Sequence, residues 1–280
     1  MNVDDFNLLA KLIKDRSGLT LTRDKAYLLE SRLLPVARKW NLKNLDELVA
    51  RLRTKQEQPL IRDVVEAMTT NESFFFRDIK PFDQFKQVVL PYLLQARAAS
   101  RTIKIWSAAC SSGQEPYTLA MILKEEKHRL AGWNVDILAT DLSTDILAKA
   151  QAGLYSQFEV QRGLPIQMLV KYFKQAGDRW QIDASLRDQV RYRPFNLLDD
   201  MGVLGNFDVI FCRNVLIYFD QPTKQNVLER MAKQLAPDGF LYLGGAETVV
   251  GITDKFQPMT NHRGMYHHAN AAAAAKIAAL

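Results

Sequence analysis

Apolar residues recur at three- and four-residue spacing over roughly the first 70 positions, then shift to short apolar runs that alternate with amphipathic ones. The first regime reads as helix only. "VDDFNLLAKLIKDRSG" places Val3, Phe6, Leu9, Ala10 and Ile13 on one face, with Gly18 just past the end. "LTRDKAYLLESRLLPVARKWN" opens at Thr22, a candidate cap, and carries Leu28, Leu29, Leu33 and Val36 as its apolar set. Pro35 is expected to bend or interrupt this helix, because it has no N–H and its ring crowds the preceding turn. "NLDELVARLRT", with Asn44 as its cap, and "QPLIRDVVEAMT" are two more amphipathic helices. The pattern predicts a small four-helix domain over residues 1–73.

"TTNESFFFRDIKP", residues 69–81, is polar, then aromatic, then charged. It reads as a junction, its three phenylalanines as junction core rather than base-stacking residues. A linker over about 74–90 runs into a long helix over roughly 81–98. From residue 102 strands and helices alternate: "TIKIWS", "NVDILATD", "QVRYRP", "FDVIFCRN" and "GFLYLGG" are strands, with helices such as "QEPYTLAMILKEEKHRL", "STDILAKAQAG" and "QPTKQNVLERMAKQLA" between them. This order predicts an α/β domain over 74–280 with a mostly parallel sheet, covered on both faces. In a 3-2-1-4-5 strand order, the strands ending at Cys110 and Cys212 are neighbours. Residues 158–190 break the alternation and read as a small antiparallel β insert. There "PIQMLVKYFKQ" is a helix running into a strand, and "DRWQIDASLRDQV" is a hairpin. "KFQPMTNHRGMYHHA" closes the sheet as a hairpin, and "NAAAAAKIAAL" is a low-complexity tail, helical or frayed.

Of the 280 residues, 48% are hydrophobic and 24% charged, the balance of an ordinary soluble globular protein. Apolar runs fall short of the roughly 18 residues that signal a membrane span. The amino terminus is acidic and then amphipathic, unlike a secretory signal. A cytoplasmic protein is expected. The two cysteines form no CxxC pair, and the four histidines show no ligand spacing, so no metal is expected. His267 and His268 read as a strand end. A net charge of +6 and a pI near 9.2 call for an acidic partner, which nucleic acid or an acidic protein surface would satisfy equally.

In an open parallel sheet, ligands bind beyond the carboxyl ends of the strands. Those ends are "SAACSSGQEP", "ATDLST", "RPFNLLD" and "CRNVLIYFD", each polar or sharply turning after an apolar run. Asp141 could accept both hydroxyls of a ribose, or cap the helix at Ser143. The first loop has one glycine, Gly113, and neither GxGxxG nor GxxxxGK[ST], so a pyrophosphate cradle is poorly supported. Glu115, in the first helical turn, would repel a phosphate. It would suit an ammonium group, or simply interact favourably with the helix amino terminus. A nucleoside with a ribose, no phosphate and a cationic amino-acid tail is S-adenosylmethionine.

Taken together, "TTNESFFFRD", "SAACSSGQEPYTLAM", "ATDLSTDIL", "PFNLLD", "FDVIFCRNVLIYFD" and "GGAE" resemble the CheR-type chemotaxis receptor methyltransferases over nearly the whole chain. The resemblance implies an all-helical amino-terminal domain and a Rossmann-like S-adenosylmethionine-dependent methyltransferase domain carrying the antiparallel insert. It implies methyl transfer to glutamate side chains on the cytoplasmic signalling domain of bacterial chemoreceptors, giving γ-glutamyl methyl esters and S-adenosylhomocysteine. By the same resemblance, Asn71, Ser73, Arg77, Glu115, Asp141, Asn196, Leu197, Arg213 and Asn214 bind the cofactor, and Arg77 and Tyr218 flank the transferring methyl. Ser73 stands where threonine is familiar, and Gln114 where an acid is. Arg32, Arg38 and Lys39, with Lys43 just beyond, form a cationic face for receptor docking. The short hairpin "KQAGDRW" argues against strong tethering to a receptor peptide. A monomer without membrane insertion is expected. The rival reading, a nucleic-acid methyltransferase, rests on the basic pI alone.

Overall fold

The structure is a computed structural model that describes residues 2–269, so the expectation for the alanine-rich tail falls outside the described residues. The chain forms two compact units: Met1–Thr70 with Tyr218–Thr223, and Asn71–Ile217 with Lys224–Leu280.

The helical unit contains α1 (Val3–Ser17), α2 (Ala26–Lys39), α3 (Leu45–Thr54) and α4 (Gln58–Met68). Leu9, Ile13, Leu29, Leu33, Leu48, Leu60 and Val64 are fully buried, as the helical spacing requires. Asn2 and Asn44 cap α1 and α3 by accepting from the Asp5 and Glu47 amides at 2.8 and 2.9 Å. Gly18 ends α1 in the left-handed region, φ 79°, and its N–H bonds the Lys14 carbonyl. Two expectations need correction. Thr22 caps no helix backbone: a single 3₁₀ turn, Arg23–Lys25, leads into α2. α2 also runs through Pro35 without a break, since the face carrying Leu33, Val36 and Ala37 is buried.

The detour Tyr218–Thr223 returns to this unit and is held there. The Thr20 amide donates to the Tyr218 carbonyl at 2.9 Å. Leu19 and Phe219 form an isolated β-bridge, and Lys14 pairs with Asp220 at 2.6 Å. A Cβ on Gly18 would sit 3.1 Å from the Phe219 ring, so the glycine serves both the helix end and this contact.

The second unit begins with α5 (Lys80–Gln84), a π-helical turn (Phe85–Val89) and α6 (Leu90–Ala96). The expected long helix is thus interrupted. Pro91 lacks the N–H an α-helix would use, and the Leu90 amide bonds Phe85 five residues back. Then follow β1 (Thr102–Ala108), α7 (Gln114–Glu125), β2 (Asn134–Asp141), α8 (Thr144–Ala152), β3 (Leu154–Ser156), α9 (Gln157–Gln161), α10 (Ile166–Tyr172), β4 (Phe173–Ala176), β5 (Arg179–Ile182), α11 (Ala184–Arg187), β6 (Val190–Pro194), β7 (Phe207–Cys212), α12 (Gln221–Gln234), β8 (Leu235–Leu243), β9 (Phe256–Pro258) and β10 (Met265–His268). The main sheet has the order β6-β2-β1-β7-β8-β10-β9. Its first five strands are parallel in the 3-2-1-4-5 arrangement, and the terminal hairpin adds two antiparallel strands.

The insert is a three-stranded antiparallel sheet, β3-β5-β4. It starts at Leu154, four residues before the expected boundary, because β3 follows the left-handed Gly153 cap of α8 directly. "DRWQIDASLRDQV" supplies one strand and then α11, not a hairpin of its own; Asp183 caps α11 by accepting from the Ser185 amide. Phe75 is fully buried here, edge-on to Tyr155 and Phe173 at 5.0 and 5.5 Å.

Arg97 joins Asp208 and Asp238 at 2.7 and 2.5 Å. Asp208 also accepts from the Lys104 amide. This cluster ties the end of α6 to the amino-terminal side of the sheet, away from the strand ends that point toward a ligand.

The Lys14–Asp220 pair has a testable pH signature. Bonds from Lys14 and then Thr223 hold the Asp220 carboxyl down at about 2, against an ordinary 3.8. Folding therefore favours its ionised form. The contribution is complete above pH 3.8 and disappears as pH falls through about 2. Thermal midpoints of wild type and Lys14→Met should differ above pH about 4 and converge near pH 2. An offset that is constant over that range would remove the pair from the clamp. The effect will be modest, since the lysine is half exposed.

Candidate active site

Strand register brings five loops to one edge of the sheet. Ala108 lies beside Thr140 and Cys212, Asp141 beside Pro194, and Cys212 beside Leu243. The segments following β1, β2, β6, β7 and β8 therefore leave together.

The β1–α7 loop is the most contorted of them. Ala109, Ser111 and Gly113 have φ of 55°, 52° and 89°. Left-handed backbone is costly for a residue with a Cβ and clusters at functional sites. At Gly113 no side chain fits, because a Cβ would fall 2.8 Å from the Tyr192 hydroxyl and 3.0 Å from Ala150. The single glycine thus serves close packing of loop on α8 and β6. Tyr155 supports the loop from beneath, donating its hydroxyl to the Ser112 carbonyl at 2.7 Å.

Asp141 is buried, and its carboxylate accepts from the Ser111 amide at 2.8 Å and the Ser143 amide at 3.0 Å. It joins the loops after β1 and β2, while Ser143 caps α8 through the Ile146 amide. Ser111 in turn donates its hydroxyl to the Asn71 carbonyl at 2.9 Å. Asn71 to Ser73, which the sequence pattern groups with the helices, pack with the sheet unit for this reason. Ser73 is half-buried beside them.

Glu115 accepts from the Ser107 hydroxyl at 2.8 Å and from Arg213 at 2.9 Å. The Arg213 side chain is only 1% exposed and also donates to Asp78 at 2.7 Å and to the Arg77 carbonyl at 2.8 Å. Its guanidinium lies 5.4 Å from the Phe82 ring centre. Two carboxylates around one guanidinium leave a net negative charge. That field favours a cationic ligand and disfavours a phosphate. Phe76, Asp78 and Ile79, like Asn214, have positive φ, so strain gathers around this cluster too. Arg77 is half-buried and donates to the Glu72 carbonyl at 2.9 Å.

Beyond β6, Asn196 closes a tight turn by accepting from the Leu198 amide, and buried Leu197 gives its carbonyl to Arg230 at 2.7 Å. Beyond β7, the amides of Asn214, Val215 and Ile217 donate to Glu247, which also accepts from Gly244 at 2.6 Å. A buried carboxylate thus fixes the turn that presents Asn214. Glu247 lies in the quoted "GGAE", yet sequence reasoning did not assign it a role. An acid two residues past a glycine pair that directly follows a strand was the available signal.

Tyr218 belongs to the segment that groups with the helical unit, where it is half-buried. On that unit Arg32 donates to the carbonyls of Met68 and Thr69 and to the Thr70 hydroxyl, so it secures the end of α4. Lys39 pairs with Asp63 at 2.9 Å, while Arg38 and Lys43 are exposed. Burial pushes the thiols of Cys110 and Cys212 well above their usual range. Both are free and buried; Cys212 ends β7 beside Ala108, while β1 stops at Ala108, two residues before Cys110.

The residues fit S-adenosylmethionine. Among the described residues, the buried Arg213 Nε and Asn214 Oδ1 have no hydrogen-bond partner. A donor and an acceptor thus await a polar ligand at the end of β7. Asp141 ends β2, a position from which an acid can accept ribose hydroxyls, and the net charge beside Glu115 suits an amino-acid tail on a sulfonium. Among the described residues, no group of side chains could hold a metal, and no helix is long and apolar enough to cross a membrane.

Comparison with known proteins agrees. Residues 71–265 match the family model described as CheR methyltransferase, SAM binding domain, and residues 4–69 match the CheR methyltransferase all-alpha domain. Chemotaxis protein methyltransferase 1 of Pseudomonas aeruginosa is 43% identical over 95% of this chain and 97% of its own. The chemotaxis protein methyltransferase of Vibrio anguillarum is 40% identical over 94% of this chain and 96% of its own. With both domains matched in order and the relatives matched almost end to end, the chain belongs to the CheR methyltransferase family and is an S-adenosylmethionine-dependent methyltransferase.

Proposed function

We propose that the protein methylates glutamate side chains on the cytoplasmic signalling domains of chemoreceptors, forming γ-glutamyl methyl esters, and that it does so as a cytoplasmic monomer. The observation that carries this reading is Arg77, a half-buried guanidinium whose own carbonyl is bonded to Arg213 at the edge where the cofactor residues gather. Similarity to chemotaxis protein methyltransferases over 94–95% of the chain supports it. The nucleic-acid reading rests on the basic charge balance and gains no support from the relatives.

S-adenosylmethionine supplies an electrophilic methyl group on a sulfonium. Asp141 accepts from its ribose, and Glu115 receives its ammonium. A carboxylate has about four acceptor directions, more than Ser107 and Arg213 take up on Glu115. Asn71, Ser73, Asn196, Leu197, Arg213 and Asn214 complete the binding set. The glutamate substrate needs no general base, because its reference pKa of about 4.3 leaves it anionic at neutral pH. The protein's task is positioning and electrostatics. Arg77 guides the carboxylate, and Tyr218 orients the reacting groups. Arg32, Arg38 and Lys39 supply the cationic docking face, Arg38 being the cation there that most readily meets a partner, since Arg32 and Lys39 have bonds within the unit.

Purified protein, tritiated cofactor and a receptor signalling fragment, with tRNA and DNA as controls, test the assignment. Base-labile label on the receptor is expected, and label confined to nucleic acid would overturn the proposal. Raising salt should slow receptor methylation, because exposed charges are screened beyond about 10 Å at 0.1 M.

Arg77→Ala should reduce single-turnover methylation by about 100-fold or more, on the scale of losing one preorganised charge-stabilising donor. Affinity for S-adenosylhomocysteine should fall by at most about tenfold. Arg77→Lys should rescue only part of the rate, as it keeps the charge without the planar fork. Collapse of affinity at a normal saturated rate would make Arg77 a cofactor residue alone.

Asp141→Asn and Glu247→Gln should behave differently. The first should weaken S-adenosylhomocysteine by about tenfold or more in calorimetric titration, since charge-assisted bonds contribute roughly 1.5–3 kcal/mol each. The second should act first on stability. A buried amide cannot accept four N–H groups, and each orphaned donor costs about 1–3 kcal/mol. A lowered urea midpoint is therefore expected for Glu247→Gln. An unchanged midpoint would show that the turn after β7 does not depend on the carboxylate.

A further inference from the structure

One group of side chains near Arg77 is not absorbed by the cofactor site. The Phe74 ring is half-buried and carries two guanidiniums, Arg77 at 5.4 Å and Arg162 at 4.4 Å from its centre. Arg162 comes from the insert, in the turn between α9 and α10. It also pairs with Glu72 at 2.6 Å. Two guanidiniums and one carboxylate leave an excess of positive charge on a patch where Arg162 and Glu72 are 40% and 57% exposed.

The position of Arg162 is enforced by its neighbour. Gly163 has φ 82°, and a Cβ there would lie 2.1 Å from the Phe75 carbonyl oxygen and 3.1 Å from the Phe74 ring. The insert backbone thus lies directly on the backbone that carries Arg77, and a residue with a side chain would push the two apart. An exposed ion pair contributes little to stability. Bringing two like charges to one ring is unfavourable apart from the ring's own attraction for cations. Such an arrangement is costly as packing and useful as a receiver of anions. The Glu72 carboxylate marks where an anion sits on it.

Distance narrows the ligand. Two groups this close to one ring centre are at most about 10 Å apart, within reach of two acidic side chains three or four positions apart on a helix, where Cβ atoms are about 5–6 Å apart. We propose that Arg162 is a specificity-determining residue that reads a second acidic side chain of the substrate, beside the glutamate received by Arg77. The inference rests on the glutamate reading given above. The ligand class is an acidic peptide segment with two nearby carboxylates, and Glu72 yields Arg162 to it by exchange of one carboxylate for another.

Steady-state methylation of a receptor signalling fragment by the full chain tests this. Arg162→Ala should raise the KM for the fragment about tenfold, with kcat within about twofold and S-adenosylhomocysteine affinity unchanged. Arg162→Lys should recover part of the loss. Replacing, one at a time, the fragment's acids nearest the methylated glutamate should identify one whose loss raises KM for wild type and leaves Arg162→Ala unaffected. A folded Arg162→Ala with wild-type KM, or no acid whose replacement distinguishes the two enzymes, would overturn the assignment while base-labile receptor methylation still upholds the glutamate reading. Absence of base-labile label on the fragment with wild type would overturn both.

Discussion

The left-handed turn out of β1 constrains everything else at the carboxyl edge of the sheet. Ala109, Ser111 and Gly113 must all hold positive φ for the chain to reverse into α7, and two of them do so at the expense of a Cβ. Their compensation lies nearby. The Asp141 carboxylate accepts the Ser111 amide, Cys110 bonds the Thr140 carbonyl, and Tyr155 takes the Ser112 carbonyl. Once the turn is held, Glu115 emerges in the first turn of α7, within reach of Ser107 and Arg213. Asn71 is bound to the same loop through Ser111. The placements of Asp141, Glu115 and Asn71 are therefore consequences of one strained connection, not independent of one another.

The electrostatics follow from that geometry. Arg213 is almost completely buried and is tolerated because Glu115 and Asp78 face it. Removing one partner of such a pair is far more damaging than exchanging the whole group for apolar residues. The site is thus committed to this charge balance. The negative excess beside Glu115 and the positive excess beside Phe74 are separate fields of opposite sign within the same unit.

Periodicity made the elements readable. The helical faces of α1 to α4, the caps at Asn44 and Gly18, the parallel strand order and the closing hairpin are all local or near-local signals, and the residues show them directly. Asp141 was visible as a strand-ending acid, although its two backbone bonds were not. What periodicity could not show are pairings between distant positions. Arg213 meets Glu115 across 98 residues, and Arg32 turns back to the end of α4 across more than 30. No local pattern encodes such meetings. The return of Tyr218–Thr223 to the helical unit was invisible for the same reason, as was the π-helical turn before Pro91, which depends on where the buried face of that helix must point.

Glu247 has an entropic consequence. Its two oxygens accept four backbone N–H groups, which matches the full acceptor capacity of a carboxylate. The turn carrying Asn214 is therefore ordered as the chain folds, and the conformational freedom it gives up, about 1–2 kcal/mol per residue at room temperature, is lost before any ligand arrives. A ligand that met this turn would not bear that loss again. The acid after the glycine pair acts as a local organiser whose contribution belongs to folding, yet is felt as readiness to bind.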